Sequence, residues 1–154
     1  MKIVEYKQQY WGTAVSRLFA TIYPEWEANM LNKIAYDEQN PQHVITLLAL
    51  QAGKPIGQIN VFKTGLDAQL CNVGYHVHPD WQQQGIGSSL LAHLLQLPNN
   101  LADGLVIQTT EDNHASQKLA RKFGFQPAPS ALLNTYQTQL KSLQMERGVC
   151  LHLA

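Results

Sequence analysis

The chain has 154 residues, of which 45% are apolar and 14% charged. That suits one domain, residues 1–154, around a single hydrophobic core, and excludes an intrinsically disordered chain. Lys+Arg and Asp+Glu both number 11, so the net charge is zero and no global basic excess points to nucleic acid.

In chain order, Ile3 to Tyr6 opens as a short strand. Thr13 to Ile22 carries Ala14, Val15, Leu18, Phe19 and Ile22 on one helical face. Pro24 interrupts the chain, and Glu25 to Glu38 is read as a second helix with Trp26, Met30 and Ile34 along one stripe, ended by Asn40-Pro41. His43 to Leu50 is nearly all apolar and partly β-branched, the pattern of a buried strand. Ala52-Gly53-Lys54-Pro55 supplies a turn, and Ile56 to Phe62 returns as the second strand of a hairpin. Lys63 to Gln69 is a loop, and Asn72 to His78 is a strand stopped by Pro79.

Ile86 to Leu97 repeats apolar residues at helical spacing and is closed by Pro98-Asn99-Asn100. Leu105 to Thr109 is a strand, and His114 to Phe123 a helix on the stripe Ala115, Leu119, Phe123, with Gly124 placed as a left-handed C-terminal cap. Ser130 can cap a short helix through Leu132, Leu133, Tyr136 and Leu140, although a strand or loop fits equally; Val149 to Leu153 is a final strand. The order predicts an α/β (α+β) fold with a mixed sheet and excludes a helical bundle.

The local charges are uneven. Glu25, Glu27, Asp37 and Glu38 share an early segment with one base, Lys33, while Lys118, Arg121, Lys122 and Lys141 share a late one with no acid. Such segments suit a cationic and an anionic ligand respectively, or are ordinary solvated faces. Cys71 and Cys150 have no paired spacing, so neither a disulfide framework nor a metal site is expected. No signal peptide or membrane-length apolar run is present, and the expected compartment is the cytoplasm, with no membrane partner.

A glycine-bearing turn, Gln82-Gln83-Gln84-Gly85-Ile86-Gly87, links the strand before Pro79 to the helix beginning at Ile86. Helix N-termini offer free backbone N–H groups and a positive dipole end, and glycines remove the Cβ atoms that would hold a phosphate away from them. A P-loop would need Gly-Lys-Ser/Thr, and no such lysine is there. A dinucleotide site would need a third glycine at position 90, which is Leu90, and an acid ending the next strand, which instead runs into Gln108 and Thr109.

Gln82, Gly85 and Gly87 match the acetyl-coenzyme A loop Gln/Arg-x-x-Gly-x-Gly/Ala, and Asn113, Ser116, Leu119, Gly124 and Phe125 match a second signature, so the chain resembles the GNAT acetyltransferase superfamily. The hairpin Gly53-Lys54-Pro55-Ile56-Gly57 is similar to that family's, with a glycine after the turn. The resemblance implies a mostly antiparallel twisted sheet with splayed central strands and flanking helices. It implies acetyl-CoA as cosubstrate, an N-acetyltransferase activity on a primary amine of a small molecule or peptide, and a family tendency to dimerise through late strands, here the tail from Tyr136.

Residue by residue, the resemblance assigns the pantetheine arm to Tyr75, His76 and Val77, and the pyrophosphate to the turn and helix start at Gln82, Gln83, Gly85, Ile86, Gly87 and Ser88. It assigns Asn113 to the pantetheine or an opened backbone, a position that also suits a helix N-cap, and Lys122, with Lys118 and Arg121 beside it, to the 3′-phosphate. The Val77 N–H would polarise the thioester carbonyl. The family often places a tyrosine acid seven residues after the Asn; here that position is Ala120, and Tyr136 is the tyrosine that could stand in. Glu111, His76, His78 and Glu25 are candidate bases. Tyr23, Glu25 and Trp26, with Glu27, form an aromatic and acidic set suited to a cationic amine. A coenzyme A-binding sensor without turnover is the competing expectation, favoured by Ala120; a dinucleotide-binding fragment is disfavoured by Leu90.

Overall fold

The structure is a computed structural model that describes residues 1–22, 41, 43–63, 70–97, 104–129 and 148–153. The expected helix from Glu25 to Glu38 and the segment from Ser130 to Leu140 lie outside these residues, and with them Tyr23, Glu25, Trp26 and Tyr136. The chain forms two compact units, residues 1–62 with 75–98, and residues 63–74 with 99–154.

In the first unit, strand β1 (Lys2–Glu5) pairs antiparallel with β2 (His43–Gln51), from Lys2↔Leu50 to Glu5↔Leu47. β2 pairs antiparallel in turn with β3 (Lys54–Lys63), through Leu47↔Ile59, Leu48↔Gln58 and Ala49↔Gly57. The register shifts between Ala49 and Leu50, so that Leu50 faces Pro55. The turn is tighter than the sequence suggests. Ala52 and Gly53 have φ of 50° and 75°, the double left-handed geometry that matches strand twist in a two-residue hairpin. Gly53 adopts it freely, whereas at Ala52 the Cβ makes it cost about 1–2 kcal/mol. Residues 47–50 of β2 are all buried, as expected for a strand covered on both faces.

Helix α1 (Gln8–Ile22) starts five residues before the Thr13 expected from the pattern. The Lys7 carbonyl accepts hydrogen bonds from the N–H groups of Tyr10 and Trp11 at 3.0 and 2.9 Å. Lys7 lacks a capping side chain and Gly12 disfavours helix, so the first turn carries no local signal. It forms because Trp11 extends the i, i+4 stripe of Val15 and Phe19 backwards onto the core. That stripe packs with Tyr6, Leu48 and Leu50, and with the half-buried Val4. The strand alternation puts Ala49 and Gly57 on the opposite face. There lies helix α2 (Ile86–Leu95), whose buried residues are Ile86, Leu90, Leu91 and Leu94. α2 ends two residues before the expected Leu97, because Gln96 and Leu97 close it with tighter bonds to the carbonyls of His93 and Leu94.

Strand β4 (Leu70–Val77) begins in the second unit and ends in the first, where the His78 N–H extends its pairing with β3 by donating to the Ile56 carbonyl at 2.8 Å. In the second unit β4 pairs parallel with β5 (Gly104–Thr110). β5 pairs antiparallel with β7 (Gly148–Leu153), from Leu105↔Leu153 to Thr110↔Gly148, and β7 pairs antiparallel with the two-residue β6 (Gln126–Pro127), which the sequence pattern does not reveal. The pairings are therefore mixed and mostly antiparallel, as expected. The β4–β5 ladder runs only from Leu70↔Gly104 to Asn72↔Val106, although β5 continues to Thr110.

Helix α3 (His114–Lys122) closes with a full Schellman motif. Gly124, at φ 90°, donates to the Arg121 carbonyl, and Phe125 donates to that of Ala120. The expected stripe is rotated: Gln117 and Ala120 are buried while Ala115 is exposed. The reason is Gln117, whose amide turns inward to donate to the carbonyls of Thr110 at 3.2 Å and Glu111 at 2.9 Å. A polar side chain that satisfies two backbone acceptors is stable in the buried position where apolar periodicity expects none.

Candidate functional site

In the first unit the approach to α2 is built from the end of β4. Pro79–Trp81 form one 3-10 turn, started by His78, whose Nδ1 accepts the Asp80 N–H at 3.0 Å. Gln82 is extended, with φ −67° and ψ 155°, and its side-chain amide donates to the Val77 carbonyl at 3.2 Å. Gln84 likewise donates to the Asp80 carbonyl at 3.3 Å. The glutamines of the loop thus brace the turn from within. Gln83 and Gly85 both have positive φ, 61° and 80°. At Gly85 (ψ 11°) the chain swings directly into the helix, whose N-cap it is.

No side chain caps α2. The Ser89 N–H is bonded to the Gly85 carbonyl at 2.9 Å; the N–H groups of Ile86 and Gly87 belong to the first turn, before that ladder begins, and have no carbonyl one turn earlier in the helix to accept them. A Cβ built on Gly85 would meet no atom within 4 Å. The helix terminus therefore opens onto space above an exposed glycine, with backbone donors and the positive end of the dipole aimed outward. Gly57 has the opposite surroundings. A Cβ there would lie 3.1 Å from Ile86 Cγ2, 3.3 Å from the His76 carbonyl oxygen and 3.5 Å from Leu90 Cδ1. The absence of that atom lets β3, the last residues of β4 and the first turn of α2 close on one another.

Of the residues expected to take the pantetheine arm, Tyr75, His76 and Val77 are half-buried at the end of β4. The His76 ring stands edge-on to Phe19 of α1, with centroids 5.4 Å apart and planes at 61°. Its Nδ1 lies 2.7 Å from the side-chain nitrogen of Gln58 on β3. Gln58 is 1% exposed and is a site residue that sequence reading misses. In the sequence it is one of two polar side chains, with Asn60, inside the otherwise apolar run from Ile56 to Phe62.

In the second unit Asn113 is the N-cap of α3, its side-chain oxygen accepting the Ser116 N–H at 3.2 Å. Glu111 is exposed in the turn after β5, where Gln117 holds its carbonyl. Lys122 lies with its ammonium 5.7 Å from the centroid of the Phe123 ring, and Lys118 and Arg121 are exposed. Ala120, at the position where the resemblance places a tyrosine, is fully buried. Asn72, on the last rung between β4 and β5, keeps a buried side-chain oxygen with no hydrogen-bond partner among the described residues. Burial pushes the Cys71 thiol up, with Lys63 acting weakly in the other direction. Among the described residues no group of His, Cys, Asp and Glu side chains is arranged to hold a metal ion, and no helix is long and apolar enough to cross a membrane.

A family model described as acetyltransferase (GNAT) family matches residues 8–125. Among curated proteins, none matches the sequence. Among solved structures, the ribosomal-protein-S18-alanine N-acetyltransferase from Escherichia coli is 19% identical, with a TM-score of 0.69 over 99% of this chain and 92% of its own. An acetyltransferase of the GNAT family from Streptococcus pneumoniae is 17% identical, with a TM-score of 0.67 over 82% and 84%. A GNAT family acetyltransferase from Brucella melitensis, solved in complex with acetyl-CoA, is 21% identical, with a TM-score of 0.61 over 81% and 82%. At these identities the likeness is one of fold.

Proposed function

Because the chain belongs to the acetyltransferase (GNAT) family, we propose that it is an acetyl-CoA-dependent N-acetyltransferase acting on a primary amine of a small molecule or peptide. The observation that carries this reading is the start of α2, where an uncapped helix terminus opens above Gly85 at φ 80°, with no atom within 4 Å of the place a Cβ would occupy. That terminus fits a pyrophosphate, which needs several N–H donors at close range and no basic side chain. The bound cosubstrate supplies an activated thioester carbonyl.

The chain's own residues do the rest. The N–H groups of Gly87 and Ser88 take the anionic oxygens, with those of Gln83, Gly85 and Ile86 beside them. Gln82 holds the loop to the end of β4 through Val77, so the donors keep a fixed distance from the strand segment Tyr75–Val77. The backbone of that segment is suited to the amides of a pantetheine arm, and the Val77 N–H to a developing oxyanion. Glu111, exposed at the end of β5, is a candidate to take the ammonium proton directly or through water. The family match crosses both compact units, which supports reading residues 1–154 as one working domain.

The direct test is Gly87→Trp. Acetyl-CoA is expected to raise the melting temperature of the parent chain and to leave that of the variant unchanged, with the circular dichroism of the two alike. A shift retained in the variant would move the cosubstrate elsewhere. Ala120 favours one second reading, a coenzyme A-binding protein without turnover, because a fully buried methyl supplies no acid. Thiol release from acetyl-CoA over a panel of amines separates the two readings, since binding with no release on any amine would select the second.

A further inference from the structure

We propose that Gln58 is a positioning residue that holds His76 as a neutral imidazole with its proton on Nε2, so that His76 serves the site as a hydrogen-bond donor and not as the base for the amine. The orientation of the Gln58 amide assigns the roles. The side-chain nitrogen of Gln58 sits 2.7 Å from His76 Nδ1. An amide nitrogen only donates, so Nδ1 accepts, and a neutral ring with a bare Nδ1 carries its hydrogen on Nε2. Protonation of Nδ1 would set an N–H against an N–H in a place where Gln58 is 1% exposed and water does not relieve the clash. Turning the amide over would reverse everything: its oxygen would accept from Nδ1, and Nε2 would become the base.

Two further contacts hold the arrangement. Phe19 packs edge-on to the ring from α1, which fixes the ring plane. The His76 carbonyl lies 3.3 Å from the missing Cβ of Gly57, next to Gln58 in β3, so the two backbones cannot drift apart without opening that packing. The ring contacts with Phe19 and Gln58 come from side chains that do not titrate. On its own segment the nearby titratable groups are Tyr75, His78 and Asp80, of which the last two engage each other: the Asp80 N–H donates to His78 Nδ1 at 3.0 Å, and that same nitrogen lies 4.0 Å from the Asp80 carboxylate. The inference deepens the acetyl-transfer reading and rests on it for its use, because it removes His76 from the groups that could take the ammonium proton.

The experiment is nitrogen NMR of the histidine rings in the ligand-free protein, titrated with pH, with His76 assigned from the spectrum of His76→Gln. The parent is expected to show a bare Nδ1 and a protonated Nε2. In Gln58→Met the bond that favours the neutral ring is gone, and the His76 midpoint rises by about half a unit to one unit. In Gln58→Glu a carboxylate replaces the donor, and the midpoint rises by about 1–3 units. If the buried carboxylate prevents folding, Gln58→Met carries the test. A parent ring protonated on Nδ1, or a midpoint that Gln58→Met leaves in place, overturns the proposal. Neither acetyl-CoA nor an amine is added, so this result stands or falls separately from acetyl transfer.

Discussion

At the scale of single residues, Asn113 combines two demands that the sequence could not separate. Its side-chain oxygen caps α3 through the Ser116 N–H. The nitrogen of the same amide makes no hydrogen bond described here, and it is the group that the family resemblance would turn toward the pantetheine. Substitutions divide the two. Asn113→Ala removes the cap and is expected to cost about 1 kcal/mol of stability in chemical denaturation. Asn113→Asp keeps a capping oxygen and adds a negative charge at the helix N-terminus, so stability is expected to hold or rise slightly. If the amide nitrogen addresses the cosubstrate, Asn113→Asp nevertheless weakens acetyl-CoA binding, measured by calorimetric titration. Full affinity in the aspartate variant would leave Asn113 as a cap alone.

At the scale of elements, Gly57 joins β3, β4 and α2. A methyl at 3.1 Å from Ile86 Cγ2 and 3.3 Å from the His76 carbonyl is tighter than ordinary contact. The Ile86 side chain can give way, but the carbonyl belongs to a paired strand and cannot do so alone. Gly57→Ala is therefore expected to destabilise the fold by about 1–3 kcal/mol, the usual range for overpacking. It is also expected to weaken acetyl-CoA binding, because the displaced groups are the first residue of α2 and the strand before the loop. A variant with unchanged stability and affinity would refute this coupling.

The same glycine shows how far elements can be read from sequence. Its place after a turn was visible, as were the glycine loop, the cap at Gly124 and the buried run of β2, because each is written in local chemistry or in unbroken apolar spacing. The first turn of α1 was not visible: Lys7 offers no capping side chain, and Trp11 belongs to the helix only through packing against a distant core. Gln58 and Gln117 were missed for a related reason. Both are polar residues on inward faces, and what makes them stable there, the ring of His76 and the carbonyls of Thr110 and Glu111, lies outside their own periodic pattern. Positions set by backbone geometry are thus legible in the sequence, and those set by side-chain partners are not.

At the scale of the whole molecule, the net charge of zero decides how an anionic cosubstrate is held. With no net charge, steering of coenzyme A can come only from local basic segments such as that of Lys118, Arg121 and Lys122, so most of the binding is expected from contacts at short range. The start of α2 offers such contacts through backbone N–H groups, whereas Lys118, Arg121 and Lys122 are surface charges open to screening. The Debye length falls from about 10 Å at about 0.1 M salt to about 3 Å at about 1 M, which silences exposed charges far more than close hydrogen bonds. Raising salt across that range is expected to lower affinity for acetyl-CoA by less than about tenfold, or about 1.4 kcal/mol. If Lys122 or its neighbours meet the 3′-phosphate, the 3′-dephospho form binds more weakly at low salt, and the two ligands converge as salt rises. Calorimetric titration of both forms in the parent and in Lys122→Gln measures each contribution. A loss of a hundredfold or more with salt would place most of the binding energy on the basic helix and take it away from the glycine loop.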